Sequence, residues 1–178
     1  MYKFPIIVFE GIEGTGKTLH IKNVQNYLKI NNIKFIKFRE PGGSASSEKI
    51  RKFILSNKSN YQNLTDLFMY LASRNENFHY IISKNYKKRV IIIDRFIDST
   101  IAYQHYGMGI NKRLIINLNK LILKNIKPNF TFINTVSMKN LKSRINKRPK
   151  NRYDKFDHKF YNKVQKGFIK IAKNRKNY

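Results

Sequence analysis

The sequence predicts an α/β protein with a parallel sheet and helices on both of its faces. Three observations predict it. Four short runs rich in Ile, Val and Phe recur along the chain, at residues 4–9, 33–38, 89–94 and 129–134. Longer stretches with helical spacing lie between them. The runs do not alternate apolar with polar residues, which marks strands buried on both faces, as in parallel sheets. Strands that alternate with helices fit a layered sheet with right-handed crossovers.

Each helix has its own signal. Residues 18–29 follow a glycine turn and carry no breaker before Asn31. Residues 46–56 and 64–84 form the next two helices, separated by the polar stretch 57–63. Residues 111–123 stop short of Pro128, and residues 138–147 and 155–172 close the chain. In open sheets of this kind ligands sit beyond the carboxyl ends of the strands. Every unusual stretch of this sequence falls at such an end.

The chain has 178 residues, enough for one domain with a real core, and a 41% hydrophobic share is that of a globular protein. It has no cysteine, which removes disulfides and thiolate metal sites. No apolar run approaches the ~20 residues needed to span a bilayer, and residues 4–9 are too short for a signal peptide. A cytoplasmic protein is expected. The net charge of +27 is extreme. Lysines are spread along the chain, alanine occurs only at positions 45, 72, 102 and 172, and residues with AT-rich codons abound. Compositional drift explains that pattern, so nucleic-acid binding is expected to be at most weak and non-specific.

Gly11-Ile12-Glu13-Gly14-Thr15-Gly16-Lys17-Thr18 joins the first strand to the first helix. It has the phosphate-loop spacing of Gly, four residues, Gly-Lys-Thr. Glycines let backbone N–H groups converge on an anion, and the following helix adds its positive end. Lys17 then reaches the β- and γ-phosphates of a nucleoside triphosphate and the Thr18 hydroxyl ligates Mg²⁺. Asp94 ends the third run, where a carboxylate can hold Mg²⁺ or its water; Arg95 beside it can fork onto a second phosphate, or the two can form a structural ion pair. Tyr70 and Arg74 are four apart on one helix face and could stack on a base and grip its edge, or be a core aromatic and a surface arginine.

Taken together, the loop 9–18, Arg39-Glu40-Pro41-Gly42-Gly43, and Asp94-Arg95 with Ser99-Thr100 and Ala102-Tyr103-Gln104 resemble the thymidylate kinase family. The match runs from about residue 4 to 172. The resemblance implies a P-loop NTPase three-layer fold in a single domain over 1–178. It implies ATP as phosphoryl donor, Mg²⁺, dTMP as acceptor, a role in dTTP biosynthesis and a homodimer. It implies that Lys17 and Thr18 serve ATP with Mg²⁺, and that Glu13 accepts from the sugar 3′-hydroxyl. Tyr70 takes the place of the family's usual Phe over thymine, and Arg74 meets the base edge. Arg95, with Arg39, holds the dTMP phosphate. Ser99 and Thr100 line the base pocket, Tyr103 closes on the sugar where a 2′-hydroxyl would sit, and Gln104 finishes the wall. The lid is expected at about 144–154. Gly14 stands where one subtype of the family carries a catalytic arginine, so the chain resembles the bacterial subtype, whose arginine comes from the lid. Arg148 and Arg152 are the candidates, with Arg144 in support and Asp154 as a carboxylate near Mg²⁺.

The chain also departs from the family. A fifth strand and last helix are expected to begin where it stops, which predicts four strands with 129–134 as an exposed edge. Ser73 stands where many relatives have Asp, and Asn77 where many have His. The competing readings are another deoxynucleoside or nucleoside monophosphate kinase, and a degenerate basic nucleic-acid-binding relative.

Overall fold

A computed structural model describes residues 3–145, 152–173 and 175. Strand β1 (Ile6–Glu10) leads to helix α1 (Lys17–Ile30) and strand β2 (Phe35–Arg39). Helices α2 (Ala45–Leu55) and α3 (Asn63–Asn77), a π-helical turn (Phe78–Ile82) and the short α4 (Ser83–Asn85) precede strand β3 (Val90–Asp94). Helix α5 (Ile97–Thr100) runs on through a second π-helical turn (Ile101–Gly107) to α6 (Lys112–Leu123) and strand β4 (Phe130–Ile133). Helix α7 (Met138–Ile145), a 3₁₀ turn (Arg152–Lys155) and α8 (His158–Lys173) follow.

The four expected strands form, each within two residues of its expected ends. They make one parallel sheet in the order β2-β3-β1-β4. The apolar pattern of the central strands β1 and β3 has a direct physical cause, because both of their faces are covered. Ile6, Val8, Ile91 and Ile93 point to a core with Phe38, Phe78, Ile82 and Phe96. Phe9, Val90 and Ile92 point the other way, onto Ile21 and Leu28 of α1. A third cluster, from Ile12, Leu67 and Ile101 to Phe168, joins α2, α3, α5, α6 and α8 beside the strand ends. β4 pairs only with β1 among the described residues, so it is the expected edge. Thr131 of β4 is buried, while Phe130 and Phe132 are about half exposed, and Phe132 stacks on Phe9 at 5.3 Å.

Two elements differ from expectation. Residues 64–84 were expected as one helix, but the chain widens into a π turn after Asn77, where the Asn77 side chain is drawn to the loop after β2. Residues 97–107 form a helical segment not foreseen from periodicity. The buried Ile101 and Ala102 of that segment face the third cluster.

The register places Glu10, Arg39, Asp94 and Ile133 at one end of the sheet. All the functional candidates gather there.

Candidate active site

The phosphate loop is shaped by positive φ at Gly11 and Gly14. At Gly11 a Cβ would lie 2.2 Å from the Asn134 carbonyl oxygen, so no side chain fits. Lys17 opens α1 and folds back over the loop, its Nζ donating to the carbonyls of Gly11 (2.9 Å) and Ile12 (2.8 Å). Burial lowers its pKa to about 8, and Arg95 adds to that; Asp94 and Glu13 oppose it. The ammonium therefore sits in a place that favours an added anion. Residues Gly14–Thr18, Asp94, Arg95 and Arg144 line a cavity of about 500 Å³. Arg144 of α7 donates to the Gly14 carbonyl at 2.6 Å.

A second cavity of about 200 Å³, half open but more closed than the first, lies beside it. Glu13, Glu40, Arg51, Tyr70, Arg74, Arg95, Ser99, Thr100, Tyr103, Gln104 and Tyr153 are among its walls. Arg95 lines both cavities. Its backbone takes φ +68, a left-handed conformation uncommon for a long side chain. Its guanidinium donates to the Gly11 carbonyl (2.8 Å) and to Glu13 Oε1 (3.0 Å). The Tyr103 hydroxyl donates to Glu13 Oε2 at 2.5 Å. Burial alone would raise the Glu13 carboxyl, but Arg95, Lys17 and Tyr103 more than offset it, so it lies below its ordinary value. Burial opposes the Arg95 charge, yet Glu13 and its neighbours hold that charge firmly.

Arg74 is 1% exposed. Its Nε donates to Glu40 Oε2 at 2.7 Å, and its Nη1 to Thr100 Oγ1 (3.1 Å) and Asn119 Oδ1 (2.6 Å). Its plane lies 5.1 Å from the Phe96 ring. Tyr70 meets the Tyr153 ring edge-on at 6.3 Å. Gln104 donates to Asp66 Oδ2 at 3.2 Å. The loop after β2 is held by the two unusual residues of α3. Ser73 Oγ receives the Gly42 amide (3.2 Å) and touches Ser47 Oγ (2.5 Å). Asn77 donates to the Gly42 carbonyl (2.7 Å) and accepts from the Ser44 amide (3.0 Å). These residues brace the wall that carries Glu40 and Pro41.

Of the expected residues, Glu13, Tyr70, Arg74, Arg95, Ser99, Thr100, Tyr103 and Gln104 meet around the smaller cavity. Lys17, Thr18 and Asp94 meet around the open one. Arg39 turns outward to Glu48 at 3.3 Å and lines neither cavity. Arg51 of α2 occupies the smaller cavity instead, its Nη1 on the Pro41 carbonyl at 2.7 Å. Arg152 pairs with Asp66 and lies against Tyr61 and Tyr153, away from the phosphate loop. Arg148 and the Asp154 side chain lie outside the described residues. Sequence reasoning gave no role to Glu10, Glu40, Arg51, Asn119 or Tyr153. A carboxylate closing an apolar strand was the available signal for Glu10; for Arg51 the chain is too rich in cations to single one out.

For a divalent cation the donor set fits. Asp94 Oδ1 is buried with no hydrogen-bond partner among the described residues, in the cavity that Thr18 also lines.

Glu10 is fully buried, and burial with the nearby Asp98 pushes its pKa up to about 7. The native state thus keeps a proton that the unfolded chain has already released. The stability owed to that proton is complete below the ordinary carboxylate value and is lost as pH rises through about 7. Glu10→Gln removes the titration. Its stability relative to wild type should therefore improve as pH rises from about 5 to about 8, read by urea unfolding at each pH. A pH-independent difference would contradict the assignment.

A family model described as thymidylate kinase matches residues 9–178. The thymidylate kinase of Wolbachia pipientis wMel is 42% identical over 172 residues, covering 93% of this chain and 84% of that protein. That of Sulfurihydrogenibium sp. strain YO3AOP1 is 38% identical, covering 96% and 84%. The crystal structure of thymidylate kinase from Ehrlichia chaffeensis superposes with a TM-score of 0.77 at 37% identity, over 95% of this chain and 86% of that one.

Proposed function

The chain belongs to the thymidylate kinase family, and we propose that it transfers the γ-phosphoryl group of ATP to dTMP, giving dTDP and ADP on the way to dTTP. The observation that carries this reading is the meeting of two cavities at one guanidinium. A phosphate loop opens on one side of Arg95 and a narrower pocket of about 200 Å³ on the other.

Phosphoryl transfer needs positioning and charge neutralisation rather than a covalent enzyme intermediate. In the proposed complex the phosphate loop amides and Lys17 hold the ATP β- and γ-phosphates, which displace the Lys17 ammonium from the loop carbonyls. Thr18 and Asp94 would hold Mg²⁺, which when bound would supply further positive charge to the phosphates. Arg95 lies between donor and acceptor, and Arg51 adds a second cation at the smaller cavity. Glu13 takes the sugar 3′-hydroxyl, and Tyr70 covers thymine. Arg74 has Nε and Nη1 engaged, so Nη2 is the donor offered to the base edge. Arg144 lies near the loop, and Arg148 and Arg152 remain the proposed lid arginines for the transferring phosphoryl group. A cytoplasmic homodimer is part of the proposal. The exposed Phe53 of α2 with Leu64 and Phe68 of α3 supports it by offering an apolar surface.

Burial and Glu13 keep the Tyr103 phenol protonated, its pKa well above the ordinary value. Its ring is 6% exposed and fills the space beside the sugar site. Tyr103→Ala should therefore raise kcat/KM for TMP, the ribose analogue of dTMP, relative to dTMP by about tenfold or more. Tyr103→Phe should not, since it leaves the ring in place. A selectivity ratio unchanged in the alanine variant would show that this wall does not read the sugar. The reading as a whole is tested by a coupled assay of phosphate acceptors at fixed ATP.

A further inference from the structure

Glu10 closes β1 one residue before the phosphate loop, and its side chain is 0% exposed. The proposed transfer makes no use of it. Yet its carboxylate takes three donors from the turn after β3. Oε1 accepts the amides of Phe96 (2.8 Å) and Ser99 (3.1 Å), and Oε2 accepts the Ser99 hydroxyl (2.5 Å). Phe96 is the N-cap of α5 and has no side-chain cap of its own. Ser99 is the third residue of that helix. Glu10 thus does from a neighbouring strand what a capping-box glutamate does within one helix, by satisfying orphan amides of the first turn.

The capped segment, with its π-helical continuation, carries Ser99, Thr100, Tyr103 and Gln104 to the smaller cavity. Arg95 immediately precedes it, with its guanidinium on the carbonyl of Gly11, the residue next to Glu10. The Arg95 amide bonds to the Phe9 carbonyl at 2.9 Å. One buried carboxylate therefore ties the donor loop to the acceptor wall. We infer that Glu10 is a positioning residue for the acceptor: it holds the segment from Arg95 to Gly107 in register with the phosphate loop, so that the acceptor phosphate lies in line with the donor. This rests on the reading of Arg95, Ser99 and Tyr103 as acceptor-site residues. Charge is not the requirement. A glutamine keeps an oxygen for both amides and can donate to the Ser99 hydroxyl, whereas alanine leaves the buried Phe96 amide and the part-buried Ser99 amide without this acceptor.

The test compares Glu10→Ala, Glu10→Gln and Glu10→Asp in the full chain, by KM for dTMP and for ATP separately and by amide hydrogen exchange over residues 96–99 without nucleotide. Glu10→Ala should speed exchange at Phe96 and Ser99. It should lower kcat/KM for dTMP by about 100-fold, the scale of a ~1 Å misplacement of reacting groups, while leaving KM for ATP unchanged. Glu10→Gln should restore most of both. If the alanine variant does not fold, Glu10→Asp carries the test, because it keeps the carboxyl group but draws it back by one methylene. It should behave worse than glutamine. Equal losses for dTMP and ATP, unaltered exchange, or a glutamine variant no better than aspartate would overturn the inference. A wild-type protein that phosphorylates no dTMP would refute the proposed function first, and exchange at residues 96–99 would still decide whether Glu10 caps the turn.

Discussion

Lys17→Ala is expected to lower kcat for dTMP phosphorylation by about 10²- to 10³-fold while leaving the fold intact. The ammonium is 7% exposed and hydrogen-bonded to two loop carbonyls. Burial works against its charge in the free protein, which is why its pKa falls to about 8. Removing it deletes a desolvated cation, so the folded state loses little. The transition state loses more, because it needs positive charge against the transferring phosphoryl group. Steady-state kinetics and a thermal melt on one preparation separate the two effects. Activity within about tenfold of wild type, an effect of ~1.4 kcal/mol, would contradict the role.

Arg74→Ala is expected to cost stability as well as activity. Its guanidinium is the partner of Glu40, and both side chains are nearly inaccessible, at 1% and 3%. Truncating one member of a buried pair leaves the other charge uncompensated, at about 3–5 kcal/mol. Burial already pushes the Glu40 carboxyl up, against the pull of Arg74 and Asn77. Thr100 and Asn119 would lose their donor too. The melting temperature should drop by roughly 10 °C. The double variant Arg74→Met/Glu40→Gln should recover much of that loss, since it removes both charges together. Urea unfolding that shows a loss below about 1 kcal/mol for Arg74→Ala would mean that Glu40 is compensated elsewhere.

Much of this architecture was legible because it is local. The central strands β1 and β3 read as apolar runs because each is buried on both faces, and the phosphate loop read as itself because its glycines and Lys17 are contiguous. The segment 97–107 was harder. Its apolar face is short, and its first turn is capped by Glu10 from another strand, so no local cap marks its start. The π turn after Asn77 was hidden because the apolar period continues through it. Side-chain choices across loops were not legible at all. Arg39 and Arg51 lie twelve positions apart on neighbouring elements of a very basic chain, and only packing decides that Arg51 enters the cavity while Arg39 pairs with Glu48. Ser73 and Asn77 read as unexplained departures, and their partners in the loop at Gly42 and Ser44 lie some thirty residues away.

We propose that the cavity beside Arg95 takes dTMP as the acceptor of the ATP γ-phosphoryl group. The deciding measurement is kcat/KM for a panel of nucleoside monophosphates at fixed ATP with Mg²⁺, with Lys17→Ala as the background. dTMP should give the highest value. dUMP should follow at about 10- to 200-fold lower, because a single methyl in an apolar pocket is worth only about 1–3 kcal/mol. TMP and the purine monophosphates should lie lower still. Preference for another monophosphate, or turnover of dTMP no faster than the Lys17→Ala background, would contradict it.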